Sequence, residues 1–222
     1  MSGLSYDVIT FDCYGTLVDW EEGISRAFAE AAALDGRTVD RRTVLDAHAK
    51  IEPEVQAGEF HSYREVLQET ARRIARSLGW PVSPERAAFL PESLRRWHPF
   101  DDTNPALRRL ARAGYKLGIL SNVDDDLLAG TLRHLDVAFD PVVTAQQVRS
   151  YKPGHRHFLE ARRRIGDRRW LHAAQSHFHD VVPAHALGIP VVWINRKAEP
   201  TAGDARPDRE LRTMSDLADW LA

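Results

Sequence analysis

The stretch FDCYGTLVDW, residues 11–20, joins a short apolar run to a turn near the start of the chain. The run at residues 8–11 has the length and composition of a buried strand. Asp12 stands at its end, and Tyr14 rather than a second acid follows two positions later. In open α/β sheets, ligands bind at the carboxyl ends of the strands. Asp12 is therefore a candidate for chemistry if the run is a strand of such a sheet.

Similar apolar runs recur along the chain and alternate with helical patterns. The predicted strands are residues 8–11, 117–120, 141–144, 171–174 and 190–194. The helical patterns between the later strands are residues 105–113, 125–135, 155–165 and 182–187, the first with Thr103 or Asn104 as N-cap and Gly114 as its end. Alternation of this kind predicts an α/β fold with a doubly wound, Rossmann-like parallel sheet.

The segment 18–97 breaks this alternation, because it contains helical patterns and no convincing strand. One pattern is residues 24–34. Another, residues 63–78, has an apolar face formed by Val66, Leu67, Thr70, Ile74 and Leu78. A helical block inserted after the first strand is expected to form a cap over the carboxyl edge of the sheet. We therefore predict a core domain of residues 1–17 and 98–222 and a helical cap domain of residues 18–97.

The composition is that of a globular protein of 222 residues, with 43% hydrophobic and 28% charged residues. A net charge of −2 gives no attraction to nucleic acid or to an anionic membrane. The single cysteine, Cys13, excludes an internal disulfide and fits a reducing compartment, so we expect a cytoplasmic protein. We predict no nucleic-acid or membrane partner. A homodimer stays open, because the sequence does not give the oligomeric state.

Polar residues follow four of the predicted strands or their connections. They are Asp12, the pair Ser121 and Asn122, Lys152, and the segment 176–180 that ends in Asp180. A carboxylate, a hydroxyl, an amine and a second carboxylate at one edge form the inventory of a site for covalent catalysis. Asp12 is the predicted nucleophile, and Lys152 is expected to lower its pKa and orient it. Asp180 is expected to pair with the lysine or to place a water.

These residues lie in four ordered motifs that resemble those of the haloacid dehalogenase superfamily over nearly the whole chain. The motifs are DCYGTL at residues 12–17, Ser121 in LGILSN, Lys152 in YKP, and HAAQSHFHD ending at Asp180. The resemblance implies the same α/β core with an inserted helical cap.

Two departures from the phosphatases of that superfamily suggest the reaction. The phosphatases have an acid where this chain has Tyr14, and that acid protonates a poor alkoxide leaving group. They also hold Mg²⁺ with an acidic residue where this chain has Gln175, or Ser176 with a shorter spacing. A carbon-bound halide needs neither an acid nor a metal. The resemblance thus implies a type II 2-haloacid dehalogenase, a hydrolase with no metal or cofactor and a small carboxylate substrate.

By this resemblance Asp12 attacks carbon with inversion, Lys152 orients it, and Asp180 supports the water that hydrolyses the ester. Ser121 and nearby backbone N–H groups hold the substrate carboxylate, while Asn122 and Tyr14 face the leaving group. The further expected substrate contacts are Ser176, His177, Trp20 and Arg41, with Arg42 as an alternative to Arg41.

Several alternatives remain at this point. The fourth motif, SHFHD, differs from that of well-studied L-2-haloacid dehalogenases, and other phrases resemble azetidine-2-carboxylate hydrolase, which opens a small ring at carbon. A Mg²⁺-dependent phosphatase that tolerates Tyr14 and a catalytically silent binding module are further candidates. The histidines near Asp180 lack the spacing of a zinc site. The run Asp124, Asp125 and Asp126 is interpreted as the first turn of a helix.

Overall fold

The computed structural model describes residues 5–201 and 203–222. These residues form two compact units. The sheet unit contains the described residues up to Asp19, Pro99–Asn122 and those of Arg133–Ala222. The helical unit contains Trp20–His98 and Val123–Leu132. The functional division into a core and a cap stays a prediction.

The sheet unit is built on a parallel sheet, as the alternation of strands and helices predicts. Its strands are β1 Val8–Phe11, β2 Lys116–Ser121, β3 Val142–Thr144, β4 Trp170–Ala174, β5 Val191–Ile194 and β6 Arg209–Leu211. They lie in the order β3-β2-β1-β4-β5-β6, and each strand is parallel to its neighbours. The sequence prediction omitted β6, because this three-residue edge strand is largely exposed and carries no apolar run.

The position of β1 determines where a site can form. The chain passes from β1 to β2 and β3 on one side and then returns to β4 on the other. Phe11, the last residue of β1, pairs with Ile119 of β2 and with Ala173 of β4. The carboxyl ends of these three strands are thus neighbours at the point where the strand order reverses, which is the usual ligand-binding point of such sheets.

The six predicted helical patterns agree with helices of the structure to within a few residues. The helices are α1 Trp20–Leu34, α2 Arg41–Gln56, α3 Tyr63–Ser77, α4 Pro84–Ala87, α5 Phe89–Ser93, α6 Thr103–Arg112, α7 Asp125–Leu132, α8 Ala145–Val148, α9 Arg156–Ile165, α10 Val182–Ala186 and α11 Met214–Leu221. The sequence prediction omitted α2, α4, α5, α8 and α11. In the part of the chain that the structure describes, no helix is both long and apolar enough to cross a membrane.

The predicted N-cap of α6 is wrong, because the helix begins earlier than its apolar pattern indicates. Thr103 and Asn104 are both inside the helix, and Asp102 precedes it. The Thr103 hydroxyl donates instead to the Leu17 carbonyl at 2.8 Å, and the Asn104 amide donates to the His134 carbonyl at 2.8 Å. Both side chains therefore fix loops of the sheet unit.

The core of the sheet unit lies where α9 and α10 pack on the sheet. Its buried residues include Val8, Leu120, Phe158, Trp170 and Trp193. Burial of such large apolar side chains is the main force that holds helices against a sheet. This packing also fixes the strands whose ends carry the polar motifs.

In the helical unit, α3 buries the face that its sequence pattern predicts. Val66, Leu67, Thr70 and Ile74 are buried, whereas Leu78 follows the helix as its half-buried C-cap. Ser62 and Glu65 form a capping box at the start of α3, with each side chain bonded to the other residue's backbone.

Asp124 supplies a second cap to α3, which the sequence interpretation missed. Its carboxylate accepts hydrogen bonds from the backbone N–H groups of Tyr63 at 3.0 Å and Arg64 at 2.9 Å. Asp124 precedes α7, so only Asp125 and Asp126 lie in the first turn of that helix. This bond joins residues 123–132 to the helical unit, although the sequence analysis placed them in the core.

We predict that Asp124→Ala lowers the free energy of unfolding by about 1–2 kcal/mol, because two backbone donors of α3 lose a buried acceptor. Asp126→Ala is the matched control. Its exposed ion pair with Arg64 should contribute less than about 1 kcal/mol. Urea unfolding followed by far-UV circular dichroism measures both variants. Equal losses would contradict the capping role of Asp124.

Candidate active site

The turn after β1 anchors Asp12. Gly15 adopts a φ of 98°, a conformation that favours glycine. Its N–H donates to the Val18 carbonyl at 2.8 Å, and the Leu17 N–H donates to the Cys13 carbonyl at 2.8 Å. This tight turn brings the hydroxyl of the intervening threonine back toward the end of the strand.

Thr16 is a site residue that the sequence analysis did not single out. Its Oγ1 accepts a hydrogen bond from the Gln175 N–H at 2.8 Å, so its own proton is free to be directed elsewhere. The hydroxyl donates that proton to Asp12 Oδ2 at 2.9 Å. The spacing of four residues within the tight turn is the only sequence signal for this contact.

Lys152 joins the two predicted carboxylates. Its Nζ lies 2.9 Å from Asp12 Oδ1, 2.6 Å from Asp180 Oδ1 and 2.8 Å from the Leu120 carbonyl oxygen. An ammonium group has three protons, and these three acceptors use all of them. The structure therefore brings together Asp12, Lys152 and Asp180, which the ordered motifs predict to lie at one edge.

The three charged side chains differ in exposure. The side chains of Lys152 and Asp180 are each 1% exposed, whereas that of Asp12 is 11% exposed. Asp12 is consequently the member of the group that a small molecule can reach. Two carboxylates and one ammonium also leave a net negative charge in a buried place.

This arrangement separates the pKa values of the two carboxyl groups. Burial raises the pKa of Asp12, and the opposing effect of Lys152 does not cancel that rise. Burial also acts on Asp180, but Lys152 and His172 together lower its pKa to about 2. Burial alone disfavours the charged ammonium, yet the two carboxylates raise the pKa of Lys152. Lys152 thus lowers the pKa of Asp12 as predicted, but burial outweighs this effect and the net shift is upward.

Asn122 holds the backbone of Lys152. Its side-chain oxygen accepts from the Lys152 N–H at 2.7 Å, and its amide donates to the Lys152 carbonyl at 3.1 Å. These paired bonds fix the loop that carries the lysine. The predicted contact of Asn122 with a leaving group stays a prediction.

Ser121 ends β2 with a fully buried side chain. Its Oγ has no hydrogen-bond partner among the described residues. A buried hydroxyl without a partner is costly, so this atom is a candidate for binding a ligand. The Ser121 carbonyl is already bonded to the His157 ring at 3.1 Å.

The fourth motif forms a π-helical turn over His177–Val181, a rare conformation often found at functional sites. The turn places Asp180 beside Lys152. Ser176 precedes the turn as its N-cap, and its Oγ accepts from the His179 N–H at 3.1 Å. The same Oγ lies 3.0 Å from His179 Nδ1. Ser176 thus stabilises the turn, and its contact with substrate stays a prediction.

His177 packs within the sheet unit. Its Nε2 donates to the Ala205 carbonyl at 3.1 Å, and its ring lies edge-to-face with Trp193 at 5.1 Å. The side chain is buried. These contacts give His177 a packing role, while its predicted contact with substrate remains untested.

His172 is a second site residue that the sequence analysis missed. It lies in β4 and is fully buried. Its Nε2 is 3.0 Å from Asp180 Oδ1, and its Nδ1 is 2.8 Å from Thr10 Oγ1. The Trp170 indole N–H donates to the same Thr10 oxygen at 2.7 Å. A chain of buried hydrogen bonds therefore runs from β1 and β4 to Asp180.

His157 lies near this cluster and is also fully buried. Burial, together with the charge of Lys152, lowers the pKa of His157 to about 3. Its ring is therefore neutral at neutral pH, and the cluster gains no second cation from it.

Tyr14 and Gln175 occupy the positions that separate this chain from phosphatases. Tyr14 is half-buried in the turn after β1. The Gln175 backbone bonds to Thr16 through its N–H, and its carbonyl accepts from the Trp193 indole at 2.7 Å. Neither residue carries a carboxylate, so neither adds an acid or an anionic metal ligand.

Trp20 and Arg41 belong to the helical unit. The Trp20 ring lies 5.4 Å from that of His48, and Arg41 forms an ion pair with Glu22. The alternative candidate, Arg42, is 3.8 Å from Asp46 and largely exposed. The predicted contacts of these residues with substrate stay predictions.

Nζ of Lys152 lies between Asp12 and Asp180 and bonds one oxygen of each carboxylate. Within residues 5–201 and 203–222, no group of three or more His, Cys, Asp or Glu side chains is arranged to hold a metal.

Comparison with known proteins agrees with this geometry. The family model for haloacid dehalogenase-like hydrolases matches residues 6–176. The chain belongs to this family.

Among relatives of this haloacid dehalogenase-like hydrolase is the (S)-2-haloacid dehalogenase H-109 of Pseudomonas putida, 28% identical over 217 residues, with 96% of each chain covered. A defluorinating L-2-haloacid dehalogenase superposes with a TM-score of 0.82 at 24% identity, covering 97% of this chain and 95% of that one. The L-2-haloacid dehalogenase of Xanthobacter autotrophicus with chloropropionic acid covalently bound gives 0.81 at 21% identity, covering 96% and 97%. The structural likenesses support the fold.

We predict that Lys152→Met destabilises the protein by about 3–5 kcal/mol at neutral pH, because two buried carboxylates lose their shared cation. The pKa of Asp12 should rise further. The folded state then binds a proton that the unfolded state releases, so the stability of the variant should fall as pH rises from acidic to neutral.

Urea midpoints of Lys152→Met and wild type across this pH range measure the effect. The double variant Lys152→Met/Asp180→Asn is the control, since it removes one of the two repelling charges and should recover part of the loss. A loss that does not change with pH would show that packing, rather than charge, explains the defect.

Proposed function

We propose that this chain is a metal-independent 2-haloacid dehalogenase that converts a 2-haloacid and water to a 2-hydroxy acid and halide. The observation that carries the proposal is the Lys152 ammonium bonded to both Asp12 and Asp180. This ammonium orients the Asp12 carboxylate, which a small molecule can reach. The cation of the site is therefore a side chain of the protein.

Asp12 is the proposed nucleophile. Lys152 and Thr16 each donate to a different one of its oxygens, so the carboxylate is fixed in one orientation. Fixed orientation lowers the barrier for attack on a bound substrate. One oxygen of Asp12 forms a bond to the carbon beside the substrate carboxylate, and the halide leaves with the bonding electron pair. The product of this step is an aspartyl ester.

Tyr14, in place of an acid in the turn after β1, favours a halide as the leaving group. An alkoxide needs a proton donor as it departs, and Tyr14 stands where the phosphatases have such an acid. Attack on a phosphate dianion would also bring further negative charge to a buried cluster that is already anionic, and Gln175 stands where the phosphatases have the acidic side chain that holds a compensating Mg²⁺. A halide leaves as a stable anion, and a 2-haloacid carries a single negative charge.

Hydrolysis completes the cycle. Water attacks Cγ of Asp12, and the bond between Cγ and the ester oxygen breaks. One water proton goes to the departing hydroxy-acid oxygen, and the other is released as Asp12 ionises again. Asp180 is the proposed group that supports this water, because Lys152 and His172 bind its Oδ1 and leave Oδ2 without a bond from a described residue.

The proposed anchor for the substrate carboxylate is Ser121, whose buried Oγ has no partner among the described residues. Ser176, His177 and Asn122 make the structural contacts described above. We therefore propose that their main role is to support the site and that contact with substrate is a secondary role. Trp20 and Arg41 remain proposed contacts from a helical cap.

The proposal also includes the enantiomer of the substrate, the cellular location and the oligomeric state. The named relatives act on (S)-2-haloacids, which favours this enantiomer as substrate. The lone cysteine, Cys13, is buried and cannot form an internal disulfide, which supports a cytoplasmic location. A homodimer is a further part of the proposal.

A substrate panel tests this function against its alternatives. The panel contains fluoro-, chloro- and bromoacetate, both 2-chloropropionate enantiomers, azetidine-2-carboxylate and p-nitrophenyl phosphate, each with Mg²⁺ or with EDTA. We expect halide release from (S)-2-chloropropionate that EDTA does not change. Phosphate release that requires Mg²⁺ would contradict the proposal, and ring opening without halide release would move it to azetidine-2-carboxylate.

We predict that a single turnover in H₂¹⁸O with excess enzyme gives a hydroxy acid that contains ¹⁶O and leaves ¹⁸O in Asp12. The product oxygen comes from the aspartate, because water attacks the carboxyl carbon of the ester. Mass spectrometry of product and of the Asp12 peptide measures both. The control, Asp12→Asn, should lose nearly all activity, since an amide is a weak nucleophile. First-turnover ¹⁸O in the product would refute a covalent ester.

A further inference from the structure

His172 has no part in the bond changes proposed above, yet it is fully buried beside the site. Its ring packs edge-to-face on Phe158 at 5.2 Å. Its two nitrogens face Thr10 and Asp180 at hydrogen-bonding distance. An apolar residue would fill this place in a strand at a lower cost of desolvation, so the imidazole requires an explanation.

The direction of two hydrogen bonds follows from groups that can only donate or only accept. The Trp170 indole can only donate, so Thr10 Oγ1 accepts from it. The ionised Asp180 carboxylate can only accept, so His172 Nε2 carries a proton and donates it to Oδ1. The Thr10 hydroxyl lies 2.8 Å from Nδ1 and holds the other side of the ring. The imidazole is therefore held between Thr10 and Asp180.

We propose that His172 is a positioning residue that clamps Asp180 by one oxygen and so orients the other oxygen toward the hydrolytic water. Lys152 and His172 both bind Oδ1, from 2.6 and 3.0 Å. Oδ2 accepts no hydrogen bond from a described residue. This inference rests on the proposed function, in which the water attacks the ester on Asp12.

The clamp matters most after the first chemical step. When Asp12 is esterified it loses its charge, and Lys152 loses its strong bond to that carboxylate. The charged and titratable groups around His172 are then Asp180, Lys152 and His157. Lys152 alone would let Asp180 turn about its bond to Nζ, whereas a second donor from a rigid strand fixes the carboxylate plane. We therefore expect His172 to affect hydrolysis and not alkylation.

The test separates the two steps by rapid-mix single turnovers with (S)-2-chloropropionate, in which halide release reports alkylation and hydroxy acid reports hydrolysis. His172→Leu should slow hydrolysis at least about tenfold and leave the halide burst nearly unchanged, so that the ester on Asp12 accumulates. His172→Gln should recover most of the hydrolysis rate, because its amide nitrogen can replace Nε2 as donor. Equal slowing of both steps, or no slowing, would overturn the proposal.

Thr10 provides a matched pair that does not alter the imidazole. Thr10→Val removes the hydroxyl that bonds Nδ1 and holds the ring, and it should also slow hydrolysis, whereas Thr10→Ser retains the hydroxyl and should not. This pair decides the question if His172→Leu fails to fold. Equal hydrolysis rates in the two variants would overturn the positioning of the imidazole by Thr10.

A measurement without substrate distinguishes this inference from the proposed function. ¹⁵N NMR of the labelled histidines should show a proton on Nε2 of His172, and Asp180→Asn should shift that nitrogen. An Nε2 without a proton would overturn the clamp. If wild type released no halide from any haloacid, the proposed function would fall, and the Nε2 proton and its response to Asp180→Asn would still decide whether His172 positions Asp180.

Discussion

The site depends on one constraint, which is that a single buried ammonium must reach two carboxylates from different strands. Lys152 meets Asp12 at the end of β1 and Asp180 after β4, and its third proton goes to the end of β2. The sheet meets this constraint because its strands are parallel and β1 lies between β2 and β4, so that the carboxyl ends of these strands are neighbours.

The same constraint assigns different states to the two carboxyl groups. Asp180 has two donors on one oxygen and a pKa lowered to about 2, so it stays ionised throughout the physiological range. Asp12 is the more exposed and its pKa is raised. A raised pKa makes the ionised oxygen more basic and hence a better nucleophile, provided the pH keeps it ionised. One cation therefore lies between a carboxyl group of raised pKa and one of lowered pKa.

The sequence predicts the charged centre well because the charged residues lie in ordered motifs. Asp12, Lys152 and Asp180 each follow a strand or a turn signal, and a parallel sheet brings such positions to one edge. The supporting contacts were not predictable in this way. His172 lies inside a buried strand, where one polar residue does not reveal its partner, and Thr16 is visible only through the turn that Gly15 permits. The capping role of Asp124 joins distant segments, and local spacing cannot show that.

The three hydrogen bonds of the Lys152 ammonium also constrain how a substrate anion is bound. Each proton of the ammonium already has an acceptor, so binding the substrate carboxylate through Lys152 would break a bond to Asp12 or Asp180. Either loss would release a buried carboxylate from its cation, which is strongly unfavourable. The substrate carboxylate therefore needs a different donor. The proposed donor is the Ser121 hydroxyl, which has no partner among the described residues and ends the strand whose Leu120 carbonyl holds the same lysine. Binding there would not disturb the charge balance.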